Sequence, residues 1–366
     1  MITVLVEQRV RRRFKMAATT GGDTKERSQR YFSIYQGVDA IPPTEPPTEP
    51  PTEPPTEPPT EPPTEPPTEP PTEPPTEPPT EPPTEPPTEP PTEPPSSSCD
   101  WTYSFYDEFG PEKWWQLVTP ANSFWCNGVR QSPIDLQTQF VYINSRQNSL
   151  LITNLNEVPT NIILTNTGHG AQIEFRFPNN DQIIVAGGPL PIGKQYIVAH
   201  AEWHWGNVDC SGSEHLLNSK RYAAELQIVL YDSTHGSYER AKDQYQGLAA
   251  MAFFYKLDDS EDSDFQIKDE LSNIIEPYST FEGGAPFPFI DLFKHEFYDY
   301  IAYSGSLTRP PCYQTVQWMV STKPLKIKSD DLVELRKIKD CNGDELHRNF
   351  RPCQNSLSRP LNGYYL

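Results

Sequence analysis

Three side chains with metal-binding chemistry occupy every second position of one short segment. His200, Glu202 and His204 stand in the stretch His-Ala-Glu-Trp-His-Trp-Gly. Side chains alternate across a β-strand, so all three face one side if the segment is extended. Neighbouring members of this set can share one ion, since imidazole and carboxylate are both zinc ligands. His200 and His204 would lie about 13 Å apart along the strand, which is too far for all three to bind one ion.

Several separated blocks of the chain resemble the α-class carbonic anhydrases and follow the order found in that family. Besides the segment around His204 they are Gln131-Ser132-Pro133-Ile134-Asp135, Asn166-Thr167-Gly168-His169, Gly187-Gly188-Pro189-Leu190, Ser213-Glu214-His215, Tyr222-Ala223-Ala224-Glu225-Leu226, Ser304-Gly305-Ser306-Leu307-Thr308-Arg309-Pro310-Pro311 and Trp318. Any one block alone is a weak signal. Their number and order identify the family over roughly residues 101–361, a length suited to one large domain.

The resemblance implies a mainly β (α+β) domain over residues 98–361, with the α-carbonic anhydrase fold. That fold has a large, twisted, mostly antiparallel central sheet of about ten strands, with short peripheral helices. Within the family, the chain is predicted to be of the carbonic-anhydrase-related or nacrein-like kind, because its zinc ligands are largely replaced.

The resemblance also assigns the metal positions. Family members hold zinc with three histidines, and the ion lowers the pKa of its bound water to about 7 for the hydration of carbon dioxide. Glu202, His204 and Gln227 occupy these positions here, so only His204 keeps the family's residue. Gln227 offers a neutral amide oxygen to a borderline-soft ion. No cofactor is therefore expected, and zinc is expected only if an altered ligand set still binds it.

Accessory groups of the family's site are present in part. Thr308 and Glu214 match the pair that orients the zinc-bound hydroxide, and His169 matches the proton shuttle. His215 and Glu225 match buried residues behind the ligands. Without metal, we expect these groups to persist as hydrogen-bonded buried polar side chains. Retained catalysis is the alternative.

The predicted pocket contains an unusual arginine. Arg309 stands where the family usually has a small or uncharged residue. Its guanidinium would repel a cation and would compensate a buried Glu202 carboxylate, which otherwise costs several kcal/mol. His204 and Gln227 are the neutral alternatives as partners of Glu202. His200 is interpreted as a plain polar residue of this pocket.

The resemblance places four apolar residues at the wall of the substrate pocket. They suit core packing equally well. These residues are Val229, Ala250, Leu307 and Trp318.

Composition divides the chain into three parts. Residues 1–41 are polar and slightly basic and are predicted to be disordered. Residues 42–95 are thirteen copies of Pro-Pro-Thr-Glu followed by two prolines, and residues 98–361 form the predicted domain. The formal net charge of −20 argues against nucleic acid as a partner and suits cations, basic proteins or mineral surfaces.

The repeat cannot build a core, because it has no large apolar side chain. Proline blocks helix and sheet, and glutamate repulsion favours an extended polyproline II spacer. A stalk glycosylated on its threonines is one alternative. Weak, collective calcium binding by the glutamates is another, since sparse carboxylates cannot wrap the ion.

The six cysteines favour an oxidising compartment, and buried free thiols in the cytosol are the alternative. By resemblance to secreted and membrane-anchored members, Cys126 and Cys312 are expected to form a disulfide. Cys99, Cys210, Cys341 and Cys353 allow three pairings, which the sequence leaves open. No clear signal peptide and no membrane span are recognised.

Two classes of function remain. The first is a secreted, catalytically inactive protein whose domain binds an unknown protein, matrix or mineral ligand in an extracellular or biomineral matrix, or acts in adhesion. The second is an enzyme, a weak carbonic anhydrase with an altered metal site that hydrates carbon dioxide. Zinc content discriminates between the two classes.

Overall fold

The computed structural model describes residues 99–117, 123–143, 149–178, 182–294, 297 and 299–364. The predicted disordered segment 1–41 and the repeat 42–95 lie outside these residues.

In the described residues strands dominate, and the helices are short. The fifteen strands β1 to β15 are, in order, Asp135–Leu136, Val141–Ile143, Leu151–Thr153, Asn161–Asn166, Ala171–Arg176, Ile184–Ala186, Tyr196–Trp205, Leu216–Leu217, Ala224–Asp232, Leu248–Leu257, Thr280–Glu282, Tyr300–Gly305, Val316–Ser321, Leu325–Ile327 and Leu361–Tyr364. The two α-helices of the described residues are also numbered in chain order, α1 (Tyr238–Ala241) and α2 (Ser329–Leu335). Single 3₁₀ turns span Trp114–Gln116, Ser123–Asn127, Thr138–Phe140, Ser233–His235, Leu271–Ile274 and Phe289–Leu292.

Thirteen of these strands form one mixed sheet. Its main path runs β11-β4-β5-β7-β9-β10-β13-β12-β15-β2, with β14 beside β10, β6 beside β7 and β3 beside β6. Most pairs are antiparallel, whereas β10–β13, β10–β14 and β15–β2 are parallel. The predicted fold class, a large and mainly antiparallel sheet with short helices, is confirmed.

The central strands are buried on both faces, which explains their nearly continuous apolar runs. On β9, Leu226, Ile228 and Leu230 belong to the larger core cluster. The intervening residues of β9 face the other side, where a second apolar cluster contains Trp318 and Leu307. This alternation carries the polar residues of β7 and β9 to one common face.

Two disulfides tie loops to this scaffold. Cys126 and Cys312 are joined, with an S–S distance of 2.07 Å and Cα atoms 4.9 Å apart. Cys99 is joined to Cys341 across 242 residues of sequence. Cys210 and Cys353 are free thiols, the first of them exposed. None of the described helices combines the length and apolar character needed to cross a lipid bilayer.

Candidate functional site

Strand register builds the centre of the candidate site. In the antiparallel pair β7–β9, Glu202 lies directly opposite Gln227, and His204 lies opposite Glu225. His200 lies opposite Val229, next to an irregularity in β7. Side chains opposite one another on one face of such a pair are close enough to interact. The three predicted ligand positions therefore do meet on one face of the sheet.

Glu202 forms an ion pair with Arg309. The Nη2 atom of Arg309 lies 3.2 Å from Oε2 of Glu202. Burial raises the pKa of Glu202, but Arg309 and the imidazoles of His200 and His204 outweigh this effect, so the pKa lies below its ordinary value. Glu202 is mostly but not fully buried, since 14% of its side chain remains exposed. The Arg309 side chain is 27% exposed, so the ion pair lies at the mouth of the site.

Gln227 acts as a hydrogen-bond donor to acids. Its Nε2 atom donates to Oε2 of Glu214 and to Oε1 of Glu225, each at 2.9 Å. Both amide hydrogens are used in this way, and all three side chains are buried. The Gln227 amide nitrogen therefore bridges two carboxylates.

His204 is oriented from behind and faces two carboxylates. Its Nδ1 donates to the backbone carbonyl of Asn349 at 2.7 Å. Its Nε2 lies 3.7 Å from Glu214 and 4.0 Å from Glu202, without a hydrogen-bond partner among the described residues. Burial lowers the pKa of His204, but the two carboxylates outweigh burial and raise it above the ordinary value. His204 can therefore add positive charge to a centre that also contains Arg309.

Glu214 is a fully buried acid with several donors. It accepts from the backbone N–H of Arg351 at 2.8 Å and from Gln227, and a side-chain hydrogen bond links it to Thr308. Burial nevertheless raises its pKa, against the charge of His204 and these bonds. Thr308 and Glu214 thus form the pair expected from the resemblance.

A chain of buried hydrogen bonds continues beneath the ligand positions. Glu225 accepts from both the backbone N–H and the Nδ1 of His215, at 2.8 and 2.7 Å. The Nε2 of His215 lies 2.7 Å from the Tyr303 hydroxyl, which lies 2.8 Å from Oγ of Ser132. Burial raises the pKa of Glu225, but His215 outweighs it and lowers that pKa overall. Every polar group of this chain has a partner.

His169, at the shuttle position, is held by its surroundings. Its ring stacks on Trp101, with ring centroids 3.7 Å apart and planes at 12°. Its Nε2 lies 2.9 Å from the Trp101 carbonyl oxygen. Burial is the main cause that lowers its pKa below the ordinary value. A swinging proton carrier would have to break both contacts.

His200 is a neutral pocket residue. Burial lowers its pKa to about 4, in spite of the nearby carboxylate of Glu202. Its ring contacts Tyr238 edge to face at 5.3 Å. Its Nε2 lies 3.9 Å from Glu202 and lacks a hydrogen-bond partner among the described residues.

Two small cavities adjoin the Glu202–Arg309 pair. Each has room for about one water molecule. One extends toward His169. The apolar wall of the other is formed by Val229, Ala250, Leu307, Val316 and Trp318. Because Glu202 and Arg309 line both cavities, the ion pair lies where they meet, and the wall predicted for a substrate pocket encloses very little space.

The donor set does not fit a zinc ion. Structural and catalytic zinc sites need three or four converging nitrogen, sulfur or oxygen donors. Here the Glu202 carboxylate is engaged by Arg309, and the Gln227 amide donates to two acids. Among the three ligand positions, His204 has the one ligand atom without a partner in the described residues. Across the described residues, no group of three or more His, Cys, Asp or Glu side chains is arranged to hold a metal.

Three residues important to this site were not singled out from sequence. Asn349 accepts from the Trp205 amide and donates to the Trp203 carbonyl, which fixes the end of β7 beside His204. Arg351 is fully buried and donates to Gln131 and two backbone carbonyls. Tyr103 lines the cavity that extends toward His169. All three lie more than ninety positions from β7 or β9, so no local pattern could have revealed them.

Comparison with known proteins shows the family of this chain. Residues 109–364 match the family model of the eukaryotic-type carbonic anhydrases. The chain is 30% identical to mouse (Mus musculus) carbonic anhydrase 6 over 272 residues, which cover 73% of this chain and 82% of the mouse protein. It is 32% identical to dog (Canis lupus familiaris) carbonic anhydrase 6 over 269 residues, which cover 72% of this chain and 78% of the dog protein. The family predicted from the sequence blocks is confirmed.

Proposed function

Because the chain belongs to the eukaryotic-type carbonic anhydrase family, we propose that it is a carbonic-anhydrase-related protein without anhydrase activity. The observation that carries this proposal is the Arg309–Glu202 ion pair at the metal position. The family's chemistry needs a cation that makes hydroxide available near neutral pH. Arg309 supplies positive charge there, but a guanidinium has no site for coordinating and deprotonating water.

The remaining charges support the same proposal. A metal ion normally offsets the charge of nearby carboxylates. Without an ion, the carboxylates of Glu202 and Glu214 need other partners. Arg309 pairs with the first, while His204 and Gln227 face the second. The site is therefore stable without an ion. Binding zinc would require breaking contacts that the protein already makes.

The domain is proposed to act outside the cell as a binding or matrix module. Two disulfides favour an oxidising compartment. The net charge of −20 and the repeated glutamates suit a mineral surface or basic matrix proteins, with weak calcium binding as a consequence. Replacing all thirteen repeat glutamates by glutamine should reduce sedimentation with calcite. Equal sedimentation of the two proteins would argue against a mineral role for the repeat.

Metal analysis together with a carbon dioxide hydration assay tests the loss of catalysis. Purified protein equilibrated with zinc and then dialysed should hold far less than one ion per chain and should not accelerate hydration. One tightly held zinc per chain with rapid hydration would overturn the proposal.

A matched set of variants sharpens this assay. Glu202→His with Gln227→His restores the family's three imidazoles and should raise zinc retention. Adding Arg309→Ala removes the competing cation and should raise it further. Arg309→Ala alone is the control, because it removes the cation without adding a nitrogen ligand. Equal zinc retention by all the variants would show that the ligand substitutions are not what prevents metal binding.

An altered-metal anhydrase is the second candidate. It is favoured by the Nε2 atoms of His200 and His204, which lie 3.9 and 4.0 Å from the two oxygens of Glu202 without hydrogen-bond partners among the described residues. Zinc retention that is lost in both His200→Ala and His204→Ala would support this candidate. Zinc retention by neither the wild type nor any single variant would exclude it.

A further inference from the structure

A cavity larger than the two beside the Glu202–Arg309 pair lies away from the metal position. Its volume is about 250 Å³. Strands β12, β13 and β15 supply its polar floor through Ser304, Gln317 and Asn362. Gln317 alternates with Trp318 along β13, so it projects from the sheet face opposite the Trp318 side chain that lines the metal-position cavity.

The walls of this cavity carry two guanidiniums and no carboxylate. Arg130 and Arg359 line it together with Pro189, Tyr303, Pro360 and Tyr364. Neither arginine has a carboxylate within ion-pairing distance among the described residues. Burial first, and then the charge of Arg130, lower the pKa of Arg359 below its ordinary value. A locally positive cavity on a chain of net charge −20 is positioned to attract an anion.

The two arginines have different roles in the wall. Arg359 is fixed, because its guanidinium donates to the carbonyls of Ser304, Gln131, Asn355 and Ser356. Arg130 is exposed, and its side chain makes no hydrogen bond to the other described residues. Arg130 is therefore the guanidinium available for a bidentate contact to an incoming oxyanion.

The floor offers hydrogen bonds that a bare anion would not need. The Ser304 hydroxyl donates to Oε1 of Gln317 at 3.1 Å. The Asn362 side chain also lines the cavity, and its amide makes no hydrogen bond within the described chain. Paired hydroxyl and amide groups of this kind recognise ligand hydroxyls.

A glycine turn shapes one wall. Gly188 has φ +54°, and a Cβ atom there would lie 2.7 Å from the Tyr300 hydroxyl. Only glycine permits this conformation and this close approach without strain. The Gly187-Gly188-Pro189 block thereby brings Pro189 against the floor of the cavity.

We propose that this cavity binds the carboxylate-bearing end of a sugar, with Arg130 holding the carboxylate and Asn362 and Gln317 holding ring hydroxyls. The volume lies just below the range of about 300–1,000 Å³ that suits drug-sized ligands, which favours a single sugar unit. This inference rests on the proposed role of the domain as a binding module and gives that module a ligand class.

Titration calorimetry of the full chain tests this proposal. Glucuronate should bind at least about tenfold more tightly than glucose, which lacks the carboxylate. Arg130→Gln should weaken glucuronate binding about tenfold, and Asn362→Ala should weaken it less. Arg240→Gln, which changes another exposed arginine, is the matched control and should leave it unchanged. The carboxylate-bearing sugar could be free glucuronate or the end of a glycan. A glucuronate-terminated tetrasaccharide distinguishes these two ligands, since tighter binding than free glucuronate indicates the end of a glycan.

Four results would overturn the proposal. They are no binding of glucuronate by the wild type, equal binding of glucose, no effect of Arg130→Gln, and equally tight binding of inorganic sulfate, which would mean a plain anion site. Zinc analysis on the same preparation tests the proposed loss of catalysis independently of the proposed sugar site. Stoichiometric zinc with hydration activity would end the proposed loss of catalysis whatever the titration shows. Failed titration without zinc would end only the sugar site.

Discussion

The ligand positions and the hydrogen-bonded chain beneath them differ in how far they depart from the family pattern. Two of the three ligand positions that the resemblance assigns have changed type, whereas Glu214, His215, Glu225 and Thr308 all match the residues expected behind them. The changed position Glu202 is partly open to solvent, and its partner Arg309 more so. The matching residues are 0–2% exposed.

Burial accounts for this difference at Glu202, but not at Gln227, the other changed position, whose side chain is only 1% exposed. A polar group at the mouth of the site can exchange a lost partner for water, so substitutions there cost little. A fully buried carboxylate has no such alternative, and removing its partner leaves an uncompensated group. The buried chain, including Gln227, is therefore tied to stability, while the partly exposed Glu202 contributes less to it. The following predictions test this contrast, beginning with the largest expected effect.

Glu225→Ala should lower the free energy of unfolding by about 3–5 kcal/mol, because it strands the donors of His215 and Gln227 in the core. Urea denaturation followed by tryptophan fluorescence measures the change. Glu225→Gln is the isosteric control and should cost less, since its amide oxygen still accepts one of these bonds. A loss smaller than that of Glu202→Ala would contradict the contrast.

Gln227→Leu should cost about 2–3 kcal/mol, since Glu214 and Glu225 each lose a buried donor. Gln227 occupies a ligand position but is hydrogen-bonded to the buried acids. Its variant therefore shows whether the loss of stability depends on the ligand position or on burial. Gln227→Glu is the informative companion, because it places a third acid between two others and should cost more. If Gln227→Leu leaves the urea midpoint unchanged, the amide does not stabilise these acids.

Glu202→Ala should cost about 1–2 kcal/mol. It removes the partner of Arg309, but the partly exposed guanidinium can turn toward water, so the full penalty of a stranded buried charge does not apply. A double-mutant cycle with Arg309→Ala isolates the pair. A coupling free energy near zero would mean that the ion pair adds nothing to stability.

The pH dependence of Glu202→Gln should give the smallest effect. The pKa of Glu202 is lowered in the folded state, so its charge stabilises the fold at pH values above its ordinary pKa of 4.5. This contribution should be lost as pH falls through the lower, folded-state pKa. The stability difference between wild type and variant should thus be constant near neutral pH and shrink in acid. A difference that grows in acid would reverse the assigned sign.

The sequence determined the family and the sheet, and it predicts which ligand positions are altered. Motif order carried the family assignment, and strand alternation placed Glu202 and His204 on one face. It also pointed to Arg309 as the partner of Glu202, through the unusual residue after Thr308. Cys126 and Cys312 are joined as the resemblance implied. These inferences succeeded because each rests on local spacing or on a block that the family shares.

Only the tertiary structure decided how the site is satisfied. Gln227 has the same spacing whether it binds a metal or donates to Glu214 and Glu225, and only the folded contacts distinguish these roles. Contacts from Asn349 and Arg351, and the pairing of Cys99 with Cys341, join positions far apart in the chain. The degree of burial of Glu202 likewise emerges only in the folded chain, where Arg309 lies beside it. Such features arise from long-range packing, for which a single sequence holds no local signal.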